Sequence, residues 1–192
     1  AQQREVGRLL GMPSPAQFFL VQGRDAEQVL QREERLVARL RDIEADGSVG
    51  GHRALSDWLP SQRRQDEDAA LTSRVERLVL ARLSTVTGET LARGEFAASA
   101  LDIEAFLASP ASLPVRSLWL GKVGQGMASV VMVNDLSRPD ALAAFAAQAK
   151  GLDGVRWVDR TADISRLLAY YCHMMSWLLL AGVAVVFVVL AI

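Results

Sequence analysis

Apolar and polar positions along the chain follow the periods of strands and helices. The apolar run at residues 16–22 has prolines before it and Gly23 after it, which predicts a buried strand. Asp25 suits a helix N-cap with Gln28 three residues on, and the apolar residues after it recur at helical spacing. This predicts an amphipathic helix ending near Gly47, whose charged residues we interpret as a solvated face. Its apolar positions are Val29, Leu30, Leu36, Val37, Leu40 and Ile43.

The middle of the chain predicts helices and no strand. A short helical piece precedes Pro60, a long helix covers about 61–91, and a short helix at 101–108 stops before Pro110. The apolar stripe of the long helix consists of Leu71, Val75, Leu78, Val79, Leu83 and Val86.

From residue 115 the period of the pattern changes to that of strands. The runs 115–123 and 126–134 flank a glycine-bearing turn at Gly124, which predicts a β-hairpin. An alanine-rich helix is expected from Pro139 to about residue 150, with Leu142, Phe145 and Ala149 inward. A fourth strand follows at 155–158, and a last helix begins near Ala162.

The order of these elements predicts the fold class. It consists of a strand and a helix, a helical insertion over about 52–112, and then two strands, a helix and a strand. Without the insertion this is the split βαβ arrangement, a four-stranded antiparallel sheet with two helices on one face. We therefore expect an α+β, ferredoxin-like domain over 16–160, after an N-terminal lead-in at 1–15.

The C-terminal part has the composition of a bilayer segment. The last charged residue is Arg166, and residues 174–192 hold 11 Leu, Ile, Val or Phe among 19 positions. A helix of that length spans roughly 28 Å, close to one hydrocarbon core. We expect a helix at 161–192 that enters the membrane, with a span at 174–192 that is cut short. A buried core helix is the alternative. The residues expected at the membrane interface are Tyr170, Tyr171 and Trp177.

Charge and cysteine content exclude several functional classes. The 21 basic and 22 acidic residues are interleaved and give a formal net charge of −1, which leaves no electrostatic footprint for nucleic acid. The single cysteine, Cys172, excludes a disulfide framework and a cysteine-based zinc site.

No group of residues has the spacing of a catalytic or metal site. The glycine-rich segment 121–126 lies between two predicted strands and lacks the spacing of a phosphate-binding loop. His52 and His173 lie far apart, and we interpret both as surface or interfacial residues. The carboxylates of residues 66–68 suit the first turns of a helix. We predict no enzyme activity, no cofactor and no metal.

Four segments together resemble a known family. They are FFLVQGRDAEQVLQREERL, LSDWLPSQRRQ, LASPASLPVRSLWLG and GVRWVDRTADISRLLAYY, the last running into the apolar segment. They are similar to predicted exporters of the MMPL branch of the RND (resistance–nodulation–division) superfamily, in the bacterial branch found near fatty-acid or aryl-polyene biosynthesis genes. In that family a large extracytoplasmic loop follows a membrane helix, twice per protein. The segment AQQREVGRLLG is more like the second loop.

The resemblance implies a function. The chain would be a periplasmic porter domain of a proton-driven exporter of lipid-like or hydrophobic products, with residues 1–165 on the periplasmic side of a bacterial inner membrane. Its partners would be the membrane bundle of the parent transporter, the cargo and the bilayer, and the proton-coupling acids would lie outside this chain. Candidates for lining the substrate path are Trp58, Phe106 and Trp119.

Two other hypotheses stay open at this point. A single-span, tail-anchored adaptor would use the domain to bind a partner. A membrane-tethered hydrolase would need a reactive residue that the sequence does not reveal. The sequence leaves the cargo and the oligomeric state open.

Overall fold

The computed structural model describes residues 16–45, 50–91, 100–134 and 139–191, and within them it has five strands and five helices. Three short 3-10 turns, at Leu55–Asp57, Pro110–Ser112 and Arg116–Leu118, connect them. The elements in chain order are β1 (Gln17–Gly23), α1 (Ala26–Ala45), β2 (His52–Arg53), α2 (Gln62–Thr87), α3 (Ile103–Ala108), β3 (Trp119–Val123), β4 (Gly126–Val133), α4 (Pro139–Gln148), β5 (Val155–Asp159) and α5 (Arg160–Ala191).

The five strands form one antiparallel sheet, so the predicted α+β class is confirmed. Strand β1 lies between β4 and β5, with Phe19 opposite Val131 on one side and opposite Trp157 on the other. On the side away from β1, β4 pairs with β3 through residues 126–129 and with β2 through residues 132–133. The order is therefore β3-β4-β1-β5, with β2 sharing the edge that β3 uses.

Two strand predictions need correction. The predicted strand at 115–123 begins only at Trp119, because residues 116–118 form a 3-10 turn. The middle of the chain was expected to hold no strand, yet His52 pairs with Val133 in β2. A strand of two residues is too short to produce an alternating pattern, so its position is set by the neighbouring β4.

The core lies between the sheet and α1, as the helical stripe predicts. Asp25 Oδ1 accepts a hydrogen bond from Gln28 N at 2.7 Å, which confirms the predicted N-cap. The buried apolar side chains form two clusters. Phe145 of α4 belongs to the first, together with residues of α1 and the sheet. Leu30 of α1 belongs to the second, whose other members lie between α1 and β3. The first cluster contains Phe19, Val21, Val29, Leu36, Val37, Leu40, Ala54, Val131, Val133 and Phe145. The second contains Leu30, Leu55, Leu59, Ile103, Phe106, Val115 and Leu118.

Helices α2 and α5 are largely exposed. Helix α2 begins with the N-cap Ser61 and ends at Gly88, whose φ of 73° favours glycine, and none of its residues is buried. Helix α5 begins at Arg160, two residues before the predicted start, directly after β5.

Within the residues whose side chains the structure describes, no helix has the length and apolar content that a membrane crossing needs. The predicted span at 174–192 includes residues 183–189, 191 and 192, whose side chains lie outside that part. The predicted lead-in at 1–15 and the helix end near Gly47 also fall outside the described residues.

Candidate functional site

The carboxyl group of Glu33 is fully buried between α1 and the sheet. Its side chain points from the middle of α1, with an exposed fraction of 0 %. Glu33 Oε1 accepts a hydrogen bond from the backbone N–H of Leu55 at 2.8 Å, and the hydroxyl of Ser129 in β4 lies 3.4 Å from Oε2. One carboxyl group therefore joins α1, the 55–57 turn and β4. This corrects the prediction that the charged residues of α1 form only a solvated face.

The surroundings of Glu33 favour its neutral form. Burial raises the pKa of Glu33 from 4.5 to about 8, against the lowering effect of the hydrogen bonds from Leu55 and Ser129. The negative charge of Asp57 nearby raises it further. At neutral pH the carboxyl group therefore keeps its proton.

A second polar group lies around His52, three residues before Leu55, whose backbone N–H binds the Glu33 carboxyl group. The imidazole is 7 % exposed, with Nδ1 2.7 Å from Glu44 Oε1 and Nε2 3.3 Å from Asp57 Oδ2. The second contact is an ion pair without hydrogen-bond alignment. Asp57 Oδ1 in turn accepts a hydrogen bond from Arg41 Nη2 at 2.6 Å. The interpretation of His52 as a surface or interfacial residue is therefore wrong, because its ring is enclosed by two carboxylates.

The charges of this group stabilise one another. Burial lowers the pKa of His52, but the Asp57 and Glu44 carboxylates raise it more, so that it lies above its ordinary 6.5. The His52 partner also lowers the pKa of Asp57, against burial, and Arg41 adds to this effect. The two carboxylates therefore favour the charged form of His52, whereas burial favours the neutral form of Glu33.

Together these residues form a polar site that fixes the 52–57 segment on α1, with Glu33 and Ser129 buried and Arg41 and Asp57 at its exposed edge. The site consists of Glu33, Arg41, Glu44, His52, Asp57 and Ser129. It offers a protonated carboxyl group at Glu33 and an imidazole at His52 whose charged form two carboxylates favour. It does not offer a metal site, since no three His, Cys, Asp or Glu side chains in the described ranges are arranged to hold an ion.

The predicted path-lining residues are only partly brought together. Phe106 is 4 % exposed and belongs to the second core cluster, against which Trp119 packs. Trp58 is 52 % exposed at the end of the 55–57 turn. Phe106 and Trp119 therefore share a cluster, whereas the ring of Trp58 is open to solvent.

A surface cleft lies elsewhere, at the end of the sheet where β1 and the β3–β4 hairpin meet α1. Arg24 and Arg32 line it together with the turn at Gln125, so the glycine-rich segment 121–126 borders this cleft without enclosing it. The cleft residues do not include Trp58, Phe106 or Trp119.

The expected interface aromatics lie on α5 and are exposed. Tyr170, Tyr171 and Trp177 are 65, 50 and 63 % exposed, and the Tyr170 and Tyr171 rings meet edge to face with centroids 5.9 Å apart. Trp177 Nε1 donates to His173 Nε2 at 3.1 Å. The structure thus places all three side chains on one helix, 10 to 17 residues beyond its start at Arg160.

A signal for Glu33 was present in the sequence, and none was present for His52. Glu33 lies three or four positions from Val29, Leu30, Leu36 and Val37, in the centre of the apolar stripe of α1. A carboxyl group at that spacing predicts a buried acid. The partners of His52, by contrast, come together only because β2 pairs with β4, which the sequence pattern does not reveal.

No family model matches this chain, and neither the curated proteins nor the solved structures include a match to it.

Proposed function

We propose that this chain is the porter domain of a membrane exporter of lipid-like or hydrophobic products, with a split βαβ fold and with α5 entering the bilayer. The fold part of the proposal is supported by the strand order β3-β4-β1-β5, which is the order of a split βαβ sheet. Helices α1 and α4 both contribute to the core cluster on one face of that sheet.

The observation that carries the functional proposal is the junction of the sheet with α5. Strand β5 ends at Asp159 and α5 begins at the next residue. Asp159 Oδ1 accepts from Ala162 N at 2.9 Å, and its Oδ2 accepts from Gln17 Nε2 of β1 at 3.0 Å. One carboxylate therefore caps the helix and binds the central strand of the sheet.

A second set of contacts reinforces this junction. Arg160 N donates to the carbonyl of Ala16 at 2.9 Å, and the Arg160 guanidinium lies 5.8 Å from the centroid of the Phe18 ring. A helix attached in this way transmits its displacement to the sheet. A porter domain needs such coupling to rearrangements of the membrane bundle, whereas a tethered adaptor works with a flexible linker.

The membrane part of the proposal is supported by the sequence of α5. No charged residue follows Arg166, and the exposed residues of the helix after it are mainly apolar or aromatic. For the cargo path we keep Trp58, Phe106 and Trp119 as the proposed lining, since Trp58 and Phe106 lie on the segment between α1 and β3 and Trp119 is the first residue of β3. A lipid-like cargo fits these large apolar side chains.

Insertion of a flexible linker tests the proposal. In the full-length parent protein, six Gly-Ser residues inserted between Asp159 and Arg160 are expected to abolish export of a lipophilic fluorescent dye from cells. The control carries the same insertion after Gly88, at the free end of α2, and keeps export. Membrane levels of both variants are measured by immunoblot.

The second hypothesis, a single-span adaptor, is favoured by the exposed apolar stripe of α2. This hypothesis predicts that the insertion between Asp159 and Arg160 leaves function unchanged, because a flexible linker leaves an adaptor's binding surface intact. Unchanged dye export in the junction variant, at normal membrane levels, would contradict the porter proposal.

A further inference from the structure

The cleft between α1, the end of β1 and the β3–β4 hairpin has a positively charged lining. Its volume is about 630 Å³, within the range of roughly 300–1,000 Å³ that small-molecule sites occupy. As far as the structure describes the chain, two arginines and no acid line it. The residues that matter here are Arg24, Gln28, Arg32, Val123, Gln125 and Met127, and we call the site they line the arginine cleft.

Arg32 is held in place at one side of the cleft. Its Nη1 donates to the carbonyl of Gln22 at the end of β1, and a Cβ at Gly154 would collide with the same guanidinium. Its Nε and Nη2 have no partner among the described residues. A guanidinium has five N–H donors in a planar fork. Arg32 is therefore fixed by the backbone and still keeps donors for a ligand.

Arg24 and Gln28 offer further donors to the same cleft. The Arg24 N–H donates to Gln28 Oε1 at 3.0 Å, so the side-chain amide of Gln28 has its oxygen occupied and its Nε2 donor left over. The Arg24 guanidinium is exposed and pairs with no acid in the described ranges, whereas Arg41 pairs with Asp57. Two cations and an amide donor thus line one cleft without an acceptor of opposite charge.

The acids closest to these residues along the chain do not line the cleft. Asp25 Oδ1 accepts a hydrogen bond from Gln28 N at 2.7 Å as the N-cap of α1. Glu27 accepts from Gln62 N at 2.8 Å, at the base of α2. The positive charge of the cleft is therefore not neutralised by its own neighbours.

We propose that the arginine cleft binds an organic phosphate monoester. A phosphate monoester carries nearly two negative charges and three terminal oxygens, which match two guanidinium groups and an amide donor. A carboxylate brings only one charge and two oxygens. Because the cleft is larger than a phosphate group, the organic part has room beside Val123, which is 41 % exposed, and Met127. This inference is independent of the proposed exporter function.

An NMR titration of the whole isotope-labelled chain in a neutral detergent tests the site. At constant ionic strength, phenyl phosphate is expected to shift the backbone amide signals of Gly23 and Gly126, which line the cleft, until they saturate. The signal of Gly88, at the end of α2, is expected to stay unchanged. Phenol carries the same ring without the phosphate and is expected to shift none of these signals.

Two arginine variants with the same change in net charge separate the site from long-range attraction. Arg24→Gln is expected to weaken the affinity for phenyl phosphate at least about tenfold, because a hydrogen bond to a charged group is lost. Its side chain has no partner among the described residues, so the fold is kept. The control is Arg35→Gln, which removes an exposed arginine of α1 outside the cleft and should leave the affinity unchanged.

Nanodiscs of phosphatidylcholine, with and without phosphatidic acid, identify the source of the phosphate. A shift of the Gly23 and Gly126 signals by phosphatidic acid assigns a lipid headgroup, whereas a response to phenyl phosphate alone assigns a soluble ligand, and either supports the site. No saturable shift with either phosphate would overturn the proposal. An equal affinity of Arg24→Gln and Arg35→Gln, or an equal response to phenol, would overturn it as well.

Discussion

Glu33 and His52 respond to pH in the same direction, although one is an acid and the other a base. Both have a pKa in the folded protein above the ordinary value. The folded state therefore binds protons that the unfolded chain releases. For each group, stability falls as the pH rises from the ordinary pKa to the pKa in the folded protein. Asp57 acts in the opposite sense at acid pH, because its pKa is lowered.

The clearest consequence concerns Glu33. The stability linked to its proton is complete below about pH 4.5 and is lost as the pH rises to about 8, a loss on the order of a few kcal/mol. Glu33→Gln keeps an acceptor for Leu55 N and cannot ionise. We expect urea unfolding to show a smaller loss of stability between about pH 5 and 8 for Glu33→Gln than for the parent chain. Equal losses in the two proteins would exclude Glu33 as the source.

The raised pKa of His52 is caused by its two carboxylate partners, and removing one of them tests this. Glu44→Gln removes the partner of Nδ1, so the pKa of His52 should fall towards its ordinary 6.5. An NMR titration of the imidazole, in a His173→Gln background, measures this change. The control is Asp42→Asn, an exposed position on the same helix, which should leave the titration unchanged. An unchanged pKa of His52 in Glu44→Gln would show that Asp57 alone raises it.

At the scale of the elements, local patterns predict what local interactions determine. The N-cap of α1, the strand β1 and the β3–β4 hairpin follow from short stretches of sequence. The strand β2 and the buried ring of His52 do not, because both depend on pairing with Val133, far along the chain. The apolar stripe of α2 was predicted as a pattern, but the pattern does not reveal whether another element covers it.

Two glycines in the connection from α4 to β5 allow a matched test of close packing. Gly151 and Gly154 both have positive φ, 73° and 71°, but a Cβ at Gly154 would lie 2.5 Å from the carbonyl oxygen of Gln22, whereas none of the described atoms lies within 4 Å of one at Gly151. Gly151→Ala should cost about 1–2 kcal/mol from the left-handed backbone alone. Gly154→Ala should lower the free energy of unfolding by clearly more, since β1 and β5 must shift apart. Thermal unfolding measures both, and equal costs would contradict the close approach.

At the scale of the whole molecule, the α+β class and the order of the main elements could be predicted from periodicity. The candidate site could not be assembled in the same way. Glu33 was visible as an acid within an apolar stripe, but its contacts with Leu55 and Ser129 arise only once the 55–57 turn is packed against α1 and β4. Side chains from four separate segments meet there, and their spacing along the chain carries no local signal.

The buried proton on Glu33 also changes the isoelectric behaviour of the protein. The formal charge of −1 counts 22 ionised acids against 21 bases, and with Glu33 neutral the two numbers become equal. Because the pKa values of both Glu33 and His52 are raised, the isoelectric point of the folded chain lies above the value of about 6.2 that its composition gives. Long-range repulsion between copies vanishes under these conditions, so whether two molecules meet is decided by short-range contacts and the local distribution of charge, not by net charge.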